Sequence, residues 1–179
     1  MARGGEAPVT TARPLSWSGV PEPIRALARW ITIVQLVGYT TSLIFVRHTT
    51  GLTATGVAAR YRGSDPAAAE AAMLFPKSFA EMLTITHTHL FSMAAIFVFS
   101  GFALALCSRL SERWRRILIV EPFVALLVSF SAMWLMRYVD PRFSWFLGLS
   151  SGIMAVTFYV QSFFILRELI GRSPHPEAA

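Results

Sequence analysis

The chain has 179 residues, 54% apolar and only 15% charged. Soluble domains of this size carry about 25% charged residues, so the composition calls for lipid as the solvent. The formal net charge of +6 does not argue for nucleic acid, because no recognition module is present and the excess is arginine flanking apolar runs. The single cysteine, Cys107, excludes an internal disulfide and a cysteine-based metal cluster.

In chain order, Met1 to Gly19 is rich in Gly, Ala, Pro and Ser, and residues 1–22 are expected to form a disordered cytoplasmic tail. The first apolar run, Trp30 to Val46, contains Gln35, Tyr39, Thr40, Thr41 and Ser42. It is not read as a cleavable signal peptide, since about thirty residues precede it and no A-x-A site follows. The other runs are Leu90 to Leu106, Ile117 to Met136 and Trp145 to Leu166. A helix needs roughly 20 apolar residues to cross about 30 Å of hydrocarbon. All four runs meet this once flanking turns are counted.

Between the first two runs, SDPAAAEAAMLFP (64–76) carries helix punctuation: Ser64 or Asp65 as cap, Pro66 in the first turn and Pro76 as stop. This predicts a short helix on the outer surface. SFAE (78–81) reads as a capping box, with Ser78 as cap and Glu81 three residues on. The second long helix is therefore expected to begin at Ser78 and to project from the membrane.

The loop SRLSERWRR (108–116) concentrates Arg109, Arg113, Arg115 and Arg116. Short basic loops stay inside, which places both termini in the cytoplasm. Glu121-Pro122 begins the third span. Glu121 is expected to pair with Arg115 or Arg116, with Pro122 tolerated near a helix start; the other reading is a proton route with Gln161. In RYVDPRFS (137–144) the chain turns at Asp140-Pro141, and Arg137 is expected to pair with Asp140. GLSSG (148–152) and GFALA (101–105) have the small-residue spacing that lets helix backbones approach in lipid. The fold expected is all-α, an integral membrane four-helix bundle over residues 23–170. It has a helical extracytoplasmic loop between helices 1 and 2, short connections keeping neighbours together, and a flexible tail over 171–179.

Three of the four histidines share one depth. His48 ends the first run, and His87 and His89 precede the second. Residues two apart on a helix diverge by about 200°, so His87 and His89 do not readily grip one ion together. His89 shares a face with Thr86, Ser92, Met93, Ile96 and Ser100 and is the one expected to turn inward, with His48 as its partner.

Three chemistries use such a site. Histidines on facing helices hold haem b, with Arg47 and Arg137 placed to meet its propionates. His48, His87 and His89 with Met93 supply imidazole and thioether for copper or zinc. A histidine with Glu81 or Asp140 binds a quinol and moves its protons. The plainer reading is an interfacial histidine that hydrogen-bonds locally and has no ligand. The chain contains no P-loop, G-x-G-x-x-G, H-E-x-x-H or serine-nucleophile motif.

The stretches HTTGLTATGVAARYRGSDP (48–66), FPKSFAEMLTITHTHLFSM (75–93) and DPRFSWFLGLSSG (140–152) resemble small uncharacterised four-helix inner-membrane proteins of bacteria with an H-x-H at the head of the second helix. The resemblance runs from about Arg47 to Leu166. It implies the fold and a bacterial inner membrane, and no activity. The expected function is a small subunit of a membrane electron-transfer or related complex, with a histidine-based haem, metal or quinol site at the outer end. The alternative is a purely structural accessory subunit. Its expected partners are membrane lipid and other membrane subunits or further copies of itself.

Overall fold

The structure is a computed structural model in which residues 15–64 and 73–171 are described. A 3-10 turn, Trp17–Gly19, leads into α1 (Glu22–Thr50), α2 (Ala54–Arg62), α3 (Phe79–Ala105), α4 (Glu112–Tyr138) and α5 (Phe143–Ile170). Among the described residues there is no strand. Four helices, α1, α3, α4 and α5, are long and apolar enough to cross a membrane.

Local chemistry sets the helix ends. Proline in the first turn of α1 carries the fixed φ that starts a helix, and Glu22 there meets the positive end of the dipole. Gly51 stops α1 in the left-handed region (φ 61°), its N–H donating to the Arg47 carbonyl at 2.9 Å. Thr53 caps α2 by accepting from the Gly56 N–H at 3.0 Å. At α3 both arms of the expected capping box form: the Glu81 N–H donates to Ser78 Oγ at 3.2 Å, and the Ser78 N–H donates to Glu81 Oε2 at 2.7 Å.

Helix α5 is the centre of the bundle, packing against α1, α2, α3 and α4. It buries a polar series, Ser144, Ser150, Thr157, Gln161, Ser162 and Glu168, among its apolar residues. The core at the α2 end is methionine-rich, with Met82, Met133 and Met136 beneath Val57, Ala58 and Tyr61 of α2. The middle core joins Phe97, Leu126, Met154 and Phe158. The core at the opposite end gathers Trp17, Ala28, Leu104, Ile165 and Leu169.

Consecutive spans do not all pack as neighbours. Contact between α1 and α3 is slight, and α1 rests chiefly on α5. The short connections hold α3 to α4 and α4 to α5, whereas the connection between α1 and α3 is long and contains α2. Only Arg25, Ala28 and Thr32 of α1 are buried, all in its first half.

One local expectation meets a different outcome, and two others fall largely on residues outside those described. Residues 1–14 of the expected disordered tail lie outside the described residues, but Trp17 within that segment is 3% exposed. Burial of its indole and a hydrogen bond from Nε1 to the Ala103 carbonyl hold this segment to the bundle. The helix expected at 64–76 lies mostly outside the described residues; the helix described in this connection is α2, at 54–62. Arg137 does not pair with Asp140. Its Nε donates to the Lys77 carbonyl at 2.9 Å, while Asp140 Oδ1 accepts from the Arg142 N–H at 2.7 Å and starts α5.

Candidate functional site

The α2 end of the bundle holds most of the residues singled out for ligand binding. His48 and Arg47 lie exposed in the last turn of α1, and His87 and His89 are exposed on α3. The buried face of α3 runs through Met82, Ile85, Met93, Ile96 and Ser100. At about 100° per residue His89 falls within the arc of this face and His87 outside it, but the His89 side chain is itself exposed. Its Nδ1 lies 3.0 Å from the Ile85 carbonyl of its own helix. The His87 ring meets the edge of Phe91, with centroids 5.1 Å apart. Among the described residues no group of three or more His, Cys, Asp or Glu could hold a metal ion.

The other two candidates carry structure. Met93 packs in the middle core. Arg137 ties the end of α4 to Lys77, and its guanidinium lies 4.8 Å from the Tyr138 ring centroid. Arg62 of α2 donates to the Met136 and Arg137 carbonyls at 2.8 and 3.3 Å, capping α4. Trp134 donates its indole N–H to Thr86 Oγ1 at 2.9 Å. Burial pushes the Tyr61 phenol above its ordinary range, the Arg60 charge acting in the opposite sense. Helix α2 thus packs across this end of the bundle.

A second polar group lies deeper. Pro122 is inside α4 and has no N–H for the Leu118 carbonyl four residues before it. Gln161 of α5 supplies the missing donor: its Nε2 reaches Leu118 O at 2.6 Å. The partners expected for Glu121 are engaged elsewhere. Arg115 donates to the Cys107 carbonyl at 3.1 Å, and Arg116 pairs with Glu112 at 3.0 Å. Glu121 Oε2 and Gln161 Oε1 are buried with no hydrogen-bond partner among the described residues. Above them Tyr39 of α1 stacks on Phe158, with centroids 4.3 Å apart, and Thr40 and Tyr159 share a 2.8 Å hydrogen bond. Sequence reading found Glu121 and Gln161 but assigned Glu121 the wrong partners. The sign of the true arrangement was Pro122, which guarantees an unpaired carbonyl at Leu118.

At the end of the bundle opposite α2 the buried Glu168 carboxylate takes Arg109 Nε at 3.2 Å and Ser108 Oγ at 2.8 Å. Arg25 and Arg29 both reach the Leu169 carbonyl at 3.5 Å. Charged donors at the carbonyl end of α5 oppose its dipole and fix the foot of α1.

No curated protein and no solved structure matches the chain. The family model of the Aq_1264_TM transmembrane helical domain matches residues 51–176. That match begins at the cap of α1 and takes in α2 to α5. With four spanning helices of this kind, the chain is a multi-pass membrane protein and belongs to the Aq_1264_TM family of transmembrane helical domains.

Proposed function

We propose that the chain is a small accessory subunit of a complex in the bacterial inner membrane, with both termini cytoplasmic, and that it docks its partner through the outer halves of α1 and α3. One observation carries this reading: the outer part of α3 turns Thr84, His87, Thr88 and Ser92 away from the bundle. Polar side chains on a spanning helix are kept where they meet another helix. The Thr84 and Ser92 hydroxyls return to their own helix, at the Ala80 and Thr88 carbonyls, but the imidazoles retain unused nitrogen. Beyond Thr32 no residue of α1 is buried, so a partner has a long apolar face beside the polar one.

The electron-transfer form of this reading puts haem b, copper or zinc at the same interface. His87 favours it, because its ring meets Phe91 and makes no hydrogen bond among the described residues. The remaining ligands then come from a second chain, since His87 and His89 diverge by about 200°. The experiment isolates the full chain from its native membrane in mild detergent. It combines native mass spectrometry, metal analysis, and oxidised and dithionite-reduced spectra. The accessory reading expects a colourless assembly heavier than one chain that His87→Ala and Thr88→Leu dissociate. A Soret band with sharpened α and β bands on reduction, lost in His87→Ala or His89→Ala, moves the function to haem. Stoichiometric copper or zinc without those bands moves it to a metal site. A colourless, metal-free monomer overturns both readings.

A further inference from the structure

Glu121 is the one Asp, Glu, Lys or Arg in the four apolar runs, Trp30 to Val46, Leu90 to Leu106, Ile117 to Met136 and Trp145 to Leu166. It stands about 13 Å along α4 from Glu112, at 1.5 Å per residue. An acidic group at such depth needs a positive partner or a proton, because hydrocarbon does not solvate a bare charge. The arginines nearest in sequence, Arg115 and Arg116, do not supply one.

The second part of the site is Gln161, 0% exposed. Its orientation is fixed by chemistry, because the Leu118 carbonyl accepts and only the amide nitrogen can donate to it. Oε1 is thereby left as a buried acceptor with no donor. Leu118 and Glu121 lie within one turn of α4, so the amide of Gln161 meets α4 within a turn of the carboxyl. Two buried oxygens without donors, one from each helix, have the same deficit: a small positive ligand.

The other titratable groups at this level are phenols. Tyr39 of α1 is within electrostatic reach of both Glu121 and Tyr159 of α5. The stretch of α3 packed here, Leu90 to Leu106, contains no Asp, Glu, His, Lys, Arg or Tyr. Among the described residues no cationic side chain is bonded to these oxygens.

We propose that Glu121 and Gln161 form a site inside the membrane for a small monovalent cation, the proton or an alkali ion. The proposal stands apart from the docking role, which concerns the outer surface. Its shared chemistry is one positive charge that neutralises the carboxyl and satisfies the amide oxygen. A proton does so by making Glu121 a hydrogen-bond donor, and an alkali ion by direct coordination.

The probe is dicyclohexylcarbodiimide, which dissolves in lipid; the O–H of a protonated carboxyl adds across one of its C=N bonds, and the O-acylisourea formed rearranges to a stable N-acylurea. The full chain in liposomes is treated at pH 6 without sodium, then mapped by peptide mass. The expected result is an adduct at Glu121, absent in Glu121→Gln. Protection by sodium or potassium chloride but not by choline chloride identifies an alkali ion. Slowing with rising pH alone, whichever salt is present, identifies the proton. The Gln161→Leu variant is made together with Pro122→Ala, which returns an N–H to Leu118 and keeps α4 intact. It should shift the ion or pH dependence by about tenfold, one pH unit in the proton case. An unlabelled Glu121 from pH 6 to 9 overturns the proposal, and so does labelling that neither ions, pH nor the Gln161 change alters. Peptide mapping of the unmutated protein decides the first point even if Glu121→Gln fails to fold.

Discussion

Trp17 and Ala103 are joined by a hydrogen bond from the indole N–H to the carbonyl, 2.9 Å long and buried. The Trp17 backbone N–H also donates to the Leu106 carbonyl at 3.2 Å. Both carbonyls belong to the end of α3, where a helix leaves its last acceptors unpaired. A residue that precedes α1 thus closes α3. Replacing a buried aromatic by alanine typically costs about 3–5 kcal/mol, so Trp17→Ala should lower the thermal midpoint in detergent well beyond the scatter of surface variants. Trp17→Phe keeps most of the packing and loses the indole donor, and should cost about 1–3 kcal/mol. Equal effects of the two changes would show that the hydrogen bond contributes nothing.

Trp17 also marks where sequence reading stops. Its surroundings are Gly, Pro and Ser, and composition averaged over that window points to disorder; the anchor is one side chain whose acceptor is 86 residues away. The spans were legible because twenty apolar residues have one use in a chain this poor in charge. The Ser78–Glu81 capping box was legible because both partners lie within one turn. The exposure of His89 was not, because its direction falls within the buried face of α3 and periodicity does not show what covers that face at each height. Nor was the placement of α1 on α5, since a long connection leaves the spatial neighbour free.

Arg137 separates a structural role from a ligand role. Its Nε bond to Lys77 O joins the end of α4 to the start of α3, and Arg62 caps the same end of α4. Arg137→Gln should destabilise by about 1–3 kcal/mol, the range for a lost charged donor, and should change no absorption band. Arg62→Lys should restore part of what Arg62→Met loses, because both carbonyls accept from one nitrogen, Nη1, and an ammonium also carries more than one N–H. Thermal unfolding of the three variants, with spectra recorded on the same samples, tests both statements.

The turn from α1 into α2 contains one strained residue and one crowded one. Leu52 has φ +56°, unusual for a branched side chain, and is exposed. Leu52→Asn should stabilise by up to about 1 kcal/mol by lowering the cost of the left-handed conformation. Gly56 is the reverse case: a Cβ there would run into the Thr50 carbonyl oxygen. Gly56→Ala should cost about 1–3 kcal/mol, as overpacking does, and should speed hydrogen exchange across 54–62. If α2 exchanges no faster in Gly56→Ala, the close approach of α2 to the end of α1 is wrong.

The strongest test of the bundle interior is a cycle between Gln161 and Pro122. In the native chain Gln161 satisfies a carbonyl that proline cannot. Gln161→Leu then leaves Leu118 O unpaired in a dry interior, at about 1–3 kcal/mol. Pro122→Ala returns an N–H to the ladder, so the same Gln161→Leu change should cost markedly less in that background. The two changes should therefore couple, with an interaction energy of about 0.5–3 kcal/mol in the range found for residues sharing a partner. Additive effects would mean that Gln161 does not act through the Leu118 carbonyl. Coupling of the expected sign would tie the tilt of its amide, and the direction of Oε1, to one missing backbone hydrogen in α4.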